Sequence, residues 1–160
     1  MVHASPQRKK TFLDQRNQQA ASYDQRVARN AFYYRNDQSQ LRAMIPAGAD
    51  VLDLSCGTGI LLKALEPGRG VGVDLSLDMV SRCRDKLPDM EFHVGDIEDP
   101  SVLAAIDGTF DFLILPDTLG MVDECDTTLR HLHQFCRQET RLVIAHHSSL
   151  WEPPPAPTVA

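Results

Sequence analysis

The sequence predicts an α/β domain built on a doubly wound parallel sheet. Short apolar runs alternate with helical stretches five times between residues 50 and 145, the pattern of a parallel sheet with helices on both faces. A glycine-rich loop, Asp53-Leu54-Ser55-Cys56-Gly57-Thr58-Gly59, follows the first run directly. Residues 110–115 form an apolar run, as a strand covered on both faces requires. In such a sheet the ligand lies at the carboxyl ends of the strands, near the point where the strand order reverses.

The elements follow in order. Residues 1–10 are polar and read as a disordered tail, residues 11–150 as one domain with N-terminal helices, and residues 151–160 as a proline-rich tail. Residues 11–35 carry Phe12, Leu13, Tyr23, Val27, Phe32 and Tyr34 among Gln, Arg and Asn, which predicts one or two weakly amphipathic helices. Asn36 and Asp37 read as caps of a further helix whose apolar side is Leu41, Met44 and Ile45, closed by Pro46-Ala47-Gly48.

Residues 51–54 are the first strand, and residues 60–65 open a helix that Pro67-Gly68 closes. Residues 70–74 are the second strand, ending in Asp74. Ser76 caps a helix bearing Leu77, Val80, Cys83 and Leu87, and residues 91–94 are a third strand before Gly95-Asp96. Asp99-Pro100 is a cap followed by proline at the first helical position. The fourth strand follows, then a helical stripe of Leu129, Leu132, Phe135 and Cys136, then a fifth strand at residues 142–145.

Composition narrows the function. The chain has 160 residues and a net charge of −6, which argues against nucleic acid, whose phosphates call for a basic face. Cys56, Cys83, Cys125 and Cys136 form no CxxC pair and match no zinc spacing, so reduced thiols of a cytoplasmic protein are expected. No secretory signal pattern is present, and no stretch approaches the roughly 18–20 apolar residues of a membrane span.

The loop and three acids indicate the ligand. Gly57 and Gly59 let the backbone turn sharply and approach a ligand closely, while the next helix points its N-terminus there. Asp53, just before the glycines, would repel a pyrophosphate but suits an ammonium. Asp74, 21 positions later, can accept hydrogen bonds from ribose hydroxyls. Asp96 can accept from an exocyclic amine, Ile97 offers backbone groups to a purine edge, and Leu75 and Met79 can cover the base. Hydroxyls, an amine and an ammonium in a row describe S-adenosyl-L-methionine.

The run from Asp53 to Gly59 resembles motif I of class I S-adenosylmethionine-dependent methyltransferases. Gly72-Val73-Asp74-Leu75-Ser76 with Met79-Val80 resembles the ribose motif of that family, and Gly95-Asp96-Ile97 its adenine motif. The resemblance covers roughly residues 22–150. It implies a Rossmann-like fold, S-adenosyl-L-methionine as cofactor and S-adenosyl-L-homocysteine (SAH) as product. It assigns the methionine loop to Gly57 and Gly59, with Cys56 between them and Ser55. The ammonium falls to Asp53 and Ser55, the ribose to Asp74, the adenine to Asp96, and the methyl-donor border to Pro116 and Asp117. It also suggests Tyr23 or Tyr34 folding over the cofactor and Arg35 meeting its carboxylate.

Two departures stand out. Ser55 replaces the first glycine of the family pattern, a change of one small side chain. The family's last two strands have no residues left to form them, which predicts an exposed fifth-strand edge, with either a truncated chain or another copy or partner chain covering it. Leu115-Pro116-Asp117-Thr118 lacks the Asn/Asp-Pro-Pro-aromatic stretch of amino-methylating nucleic-acid enzymes, so the acceptor is expected to be a small molecule or lipid-like.

Other polar residues read as structural. His146 and His147 would point to opposite faces of a strand. His131 and His133 do not share a helix face. Asp123, Glu124 and Asp126 read as a solvated capping cluster rather than a metal site. No general base is singled out. A dinucleotide-dependent oxidoreductase would need glycine at position 62, where Leu62 stands. A module that binds the cofactor without catalysis, working through a partner, is the other alternative.

Overall fold

The computed structural model describes residues 6–145, apart from the side chains of Pro6 and Tyr33. The expectations for His146, His147 and the proline-rich tail, and the Tyr33 side chain, lie outside the described residues. Three helices lead in: α1 (Pro6–Ala20), α2 (Tyr23–Arg29) and α3 (Ala31–Met44). The alternating part then runs β1 (Asp50–Asp53), α4 (Ile60–Leu65), β2 (Arg69–Asp74), α5 (Leu77–Lys86), β3 (Glu91–Val94), α6 (Pro100–Leu103), β4 (Phe110–Pro116), α7 (Cys125–Leu132) and β5 (Cys136–Ala145). Short 3-10 turns at Leu119–Met121 and His133–Phe135 complete it. No helix among the described residues is long and apolar enough to cross a membrane.

All five strands are parallel, in the order β3-β2-β1-β4-β5. The order reverses between β1 and β4, so the predicted doubly wound sheet is present with its switch point beside the glycine loop. β5 pairs only with β4, and its outer edge meets no strand among the described residues. Leu142 and Ile144 on it are 44% and 46% exposed.

Side-chain alternation builds a core on each face. Val51 packs with Leu41, Ile45, Leu62, Leu65, Val80 and Cys83 from α3, α4 and α5 or their ends. Its neighbour Leu52 packs on the other face with Leu103 of α6, Leu132 of α7 and Phe135. Full burial of a side chain of this size stabilises by roughly 1.5–3 kcal/mol. In β2 the valines Val71 and Val73 face that second core. Gly72 faces the first, where a Cβ would lie 2.8 Å from both Cys56 Sγ and Phe92 Cδ1. A register irregularity between Phe110 and Phe112 puts Phe110 in the second core and Phe112 in the first. Phe110 there meets Phe135 edge-to-face at 6.1 Å.

Four expectations need correction. Residues 6–10, read as part of a disordered tail, form the first turns of α1, and Lys9 among them meets the carboxylates of Asp96 and Glu98. Asn36 and Asp37 do not cap a helix: α3 already runs from Ala31 and places them mid-helix, held by Leu41 and Ile45 in the core. Leu77 is 60% exposed, while Met79, Val80 and Cys83 are the residues of α5 that are buried. Cys136 belongs to β5, the helical stripe having ended in the turn at Phe135. The expected caps of α5 and α6 are present: Ser76 Oγ accepts the Met79 N–H at 3.2 Å, and Asp99 Oδ1 accepts that of Ser101 at 2.8 Å.

Candidate functional site

The carboxyl ends of β1, β2, β3 and β4 border one cleft, lined by Leu54, Ser55, Asp74, Leu75, Gly95, Asp96, Ile97, Asp117, Thr118, Met121 and Val122, together with Lys9 and Phe12 of α1. Of the glycine loop only Leu54 and Ser55 line it; Asp53, Gly57 and Gly59, predicted site residues, lie outside the lining, with the Arg16 guanidinium standing over Gly57. Gly57 and Gly59 have φ of 55° and 76°, a left-handed geometry that favours glycine. The loop is tied at both ends: the Cys56 N–H donates to the Val73 carbonyl at 3.0 Å, and buried Thr58 donates its hydroxyl to Asp24 of α2. Lys86 of α5 also donates to Asp24, at 2.7 Å.

The two motif acids at the ends of β1 and β2 differ in how they are satisfied. Asp74 Oδ2 accepts the Gly57 N–H at 2.9 Å and Oδ1 accepts the Ser76 N–H at 2.9 Å. These bonds join the loop after β1 to the turn after β2. Asp53 is fully buried; its Oδ1 accepts the Ser55 N–H at 3.2 Å, and its Oδ2 has no hydrogen-bond partner. Burial pushes the Asp53 carboxyl up to about 7; the Ser55 N–H opposes this, the Asp74 charge adds to it and Arg16 lowers it.

The third motif acid, Asp96, is engaged by α1. Lys9 Nζ lies 2.6 Å from Asp96 Oδ2, contacts Glu98, and is 3.4 Å from Asp123. Burial opposes the Lys9 charge, but Asp96 and Glu98 outweigh it and raise its pKa. For Glu98 burial opposes ionisation, yet the Asp123 N–H, Lys9 and the Glu124 N–H together hold its carboxyl below the usual range. About two turns further along α1, Arg16 is 3.2 Å from Asp74 Oδ2 and stacks on the rings of Phe12 and Tyr23.

The structure brings Ser55, Asp74, Leu75, Asp96 and Ile97 to the cleft as the sequence predicts. It does not bring Met79, which is completely buried in the core because the first turn of α5 points it inward. The Cys56 side chain also leaves the cleft: its thiol lies in the first core, 4.0 Å from that of Cys83, so only its backbone belongs to the loop. Pro116 ends β4 outside the lining, its carbonyl accepting the Thr118 hydroxyl at 2.8 Å. Its neighbour Asp117 lines the cleft with a left-handed φ of 52°. Tyr34 is half-buried on α3 and outside the lining; burial, then the neighbouring Tyr23, push its phenol up. Tyr23 is the aromatic nearer the loop, 3.9 Å from where a Gly57 Cβ would stand. Arg35 is exposed.

Sequence reasoning missed Lys9, Phe12 and Arg16. Their spacing of three and four residues, one face of a helix, is the signal that could have found them.

The cleft thus lies at the switch point of a doubly wound sheet, next to a glycine loop and to acids at successive strand ends. Residues 51–139 match the family model described as a methyltransferase domain, more than half of the chain. The chain therefore belongs to the class I S-adenosylmethionine-dependent methyltransferase family. It is 39% identical over 61 residues to the dTDP-3-amino-3,4,6-trideoxy-alpha-D-glucopyranose N,N-dimethyltransferase of Streptomyces venezuelae, a match covering 37% of this chain and 26% of that protein. It is 29% identical over 104 residues to the phosphatidylethanolamine N-methyltransferase of Cereibacter sphaeroides, covering 62% of this chain and 51% of that one. The chain thus spans about a quarter of the first relative's length and about half of the second's. The fold also matches the DhpI-SAH complex, with a TM-score of 0.68 and 22% identity, over 82% of this chain and 65% of that one.

Proposed function

We propose that this chain binds S-adenosyl-L-methionine in the cleft between β1 and β4 and takes part in methyl transfer to a small-molecule or lipid-like acceptor. One observation carries the reading: Asp53 and Asp74 end β1 and β2, and Asp96 follows the end of the adjacent β3, around one glycine loop. The residues present fit the cofactor. Asp53 holds a buried oxygen without a partner beside the loop, the chemistry an ammonium satisfies. Asp74 has both oxygens turned toward the loop and the β2 turn, where ribose hydroxyls would meet them. Asp96 would take the adenine amine, with Leu75 and Ile97 against the ring.

The cofactor would supply a sulfonium methyl group, already electrophilic. The protein's task is then alignment, since holding nucleophile and methyl carbon in line can supply several kcal/mol. Asp117, Thr118 and Met121 border the opening after β4 where an acceptor would approach. The named relatives act on an amino sugar and on phosphatidylethanolamine, so an amine is the acceptor chemistry to try first.

Calorimetric titration with SAH, beside NAD, tests the reading. Saturable SAH binding without NAD binding supports it. Absence of SAH binding at millimolar ligand refutes it. SAH binding with no transfer to any amine acceptor would favour a cofactor-binding module that works through a partner.

A further inference from the structure

We propose that α1 is a self-occluding latch, whose Lys9 and Arg16 occupy the two carboxylates that the cofactor's adenosine must use. This rests on the cleft being the cofactor site.

The geometry is specific. Arg16 reaches the same Asp74 Oδ2 that receives the Gly57 N–H. Its guanidinium also stands 3.1 Å from where a Gly57 Cβ would be, directly over the loop. Lys9, seven residues earlier on the same face, binds Asp96 and Glu98 at the adenine end. Between them Phe12 lines the cleft. Asn17 adds a third tie, accepting the Ser76 hydroxyl at 2.6 Å. The space left is about 40 Å³. At roughly 10–15 Å³ for each water, that admits a few waters and no nucleoside.

The closed seat is incomplete. Arg16 Nε is buried without a hydrogen-bond partner, so the arginine sits in a place that satisfies it only in part. Most other side chains of α1 that face away from the cleft are polar, and only Ala20 at its end is buried. The helix can therefore leave the cleft without uncovering a hydrophobic core. Closed and open positions then compete, and the apparent affinity for the cofactor falls by the fraction of molecules that are open.

The test compares the full chain with Lys9→Gln, Arg16→Gln and the double variant. SAH affinity is measured by calorimetry, and amide hydrogen exchange is followed over residues 9–17 in the unmutated chain. The latch predicts tighter binding in each single variant, at least tenfold tighter in the double, and faster exchange at residues 9–17 once SAH is bound. Unchanged or weaker SAH binding in the variants would overturn it, as would slower exchange, which would make α1 a clamp that helps to hold the ligand. The exchange measurement needs no variant and decides the matter even if a substitution unfolds the chain. Failure of SAH to bind any of the four proteins would instead remove the functional reading on which the latch depends.

Discussion

Gly57 and Asp74 are joined by a 2.9 Å hydrogen bond from the glycine N–H to the carboxylate, so the loop after β1 is held in shape by the residue that ends β2. Asp74→Asn would keep one oxygen and turn an amide N–H₂ toward a backbone donor. Because Asp74 is buried, the lost acceptor should cost about 1–3 kcal/mol. Urea unfolding should show a lower midpoint with an unchanged slope; an unchanged midpoint would mean that the bond contributes nothing to the fold.

Asp53 should impose a pH dependence on stability. Its folded-state pKa is raised from 3.8 to about 7, chiefly by burial, so the native state holds a proton that the unfolded chain has released. The stabilisation is present in full below about pH 4 and is lost as pH rises through about 7. At 1.36 kcal/mol per pH unit the loss amounts to at most roughly 4 kcal/mol. Asp53→Asn cannot ionise, so its unfolding curve should meet that of the parent near pH 4 and lie above it at pH 8. Parallel curves across that range would count against the buried, under-bonded carboxylate.

Gly72→Ala should destabilise by about 1–3 kcal/mol through overpacking. The new methyl would meet Cys56 Sγ and Phe92 Cδ1, both at 2.8 Å, and Cys56 Cβ at 2.9 Å. Adding Cys56→Ala should recover part of the loss by removing the thiol, a coupling that a double-mutant cycle in urea would read directly.

Glu66 closes α4 with a left-handed φ of 51°, where glycine is the favoured residue. Glu66→Gly should raise stability by about 0.5–1 kcal/mol, relief of the left-handed strain exceeding the loss of an exposed 3.5 Å contact with Arg42. A fall in the thermal midpoint would show that the contact outweighs the strain.

Much of the architecture was legible because it is written in period. The apolar runs of β1 and β4 and the caps Ser76 and Asp99 are local signals, and the structure repeats them. The acids Asp74 and Asp96 were legible because strand ends in this topology converge. What stayed hidden depends on partners far away in the chain. Lys9 and Arg16 look like solvent-facing residues until Asp96 and Asp74, 87 and 58 positions later, are folded against them. Met79 and Cys56 belonged to plausible binding motifs, yet side-chain direction sent both into the core. Asn36 and Asp37 have capping chemistry, but a helix already under way overrode it.

The strand order also sets a timetable for the chain's birth. Leu52 lies beside Leu113 in the finished sheet, so the middle strand waits for a neighbour made some sixty residues later. At synthesis rates of roughly 5–20 residues per second, that wait lasts on the order of 3–12 seconds. During it a strand destined for complete burial has one flank bare, and the glycine loop at its end has β2 and the N-terminal helices to lean on but not β4. The feature that places a cleft at the centre of the sheet also makes that centre wait for β4 before it can close.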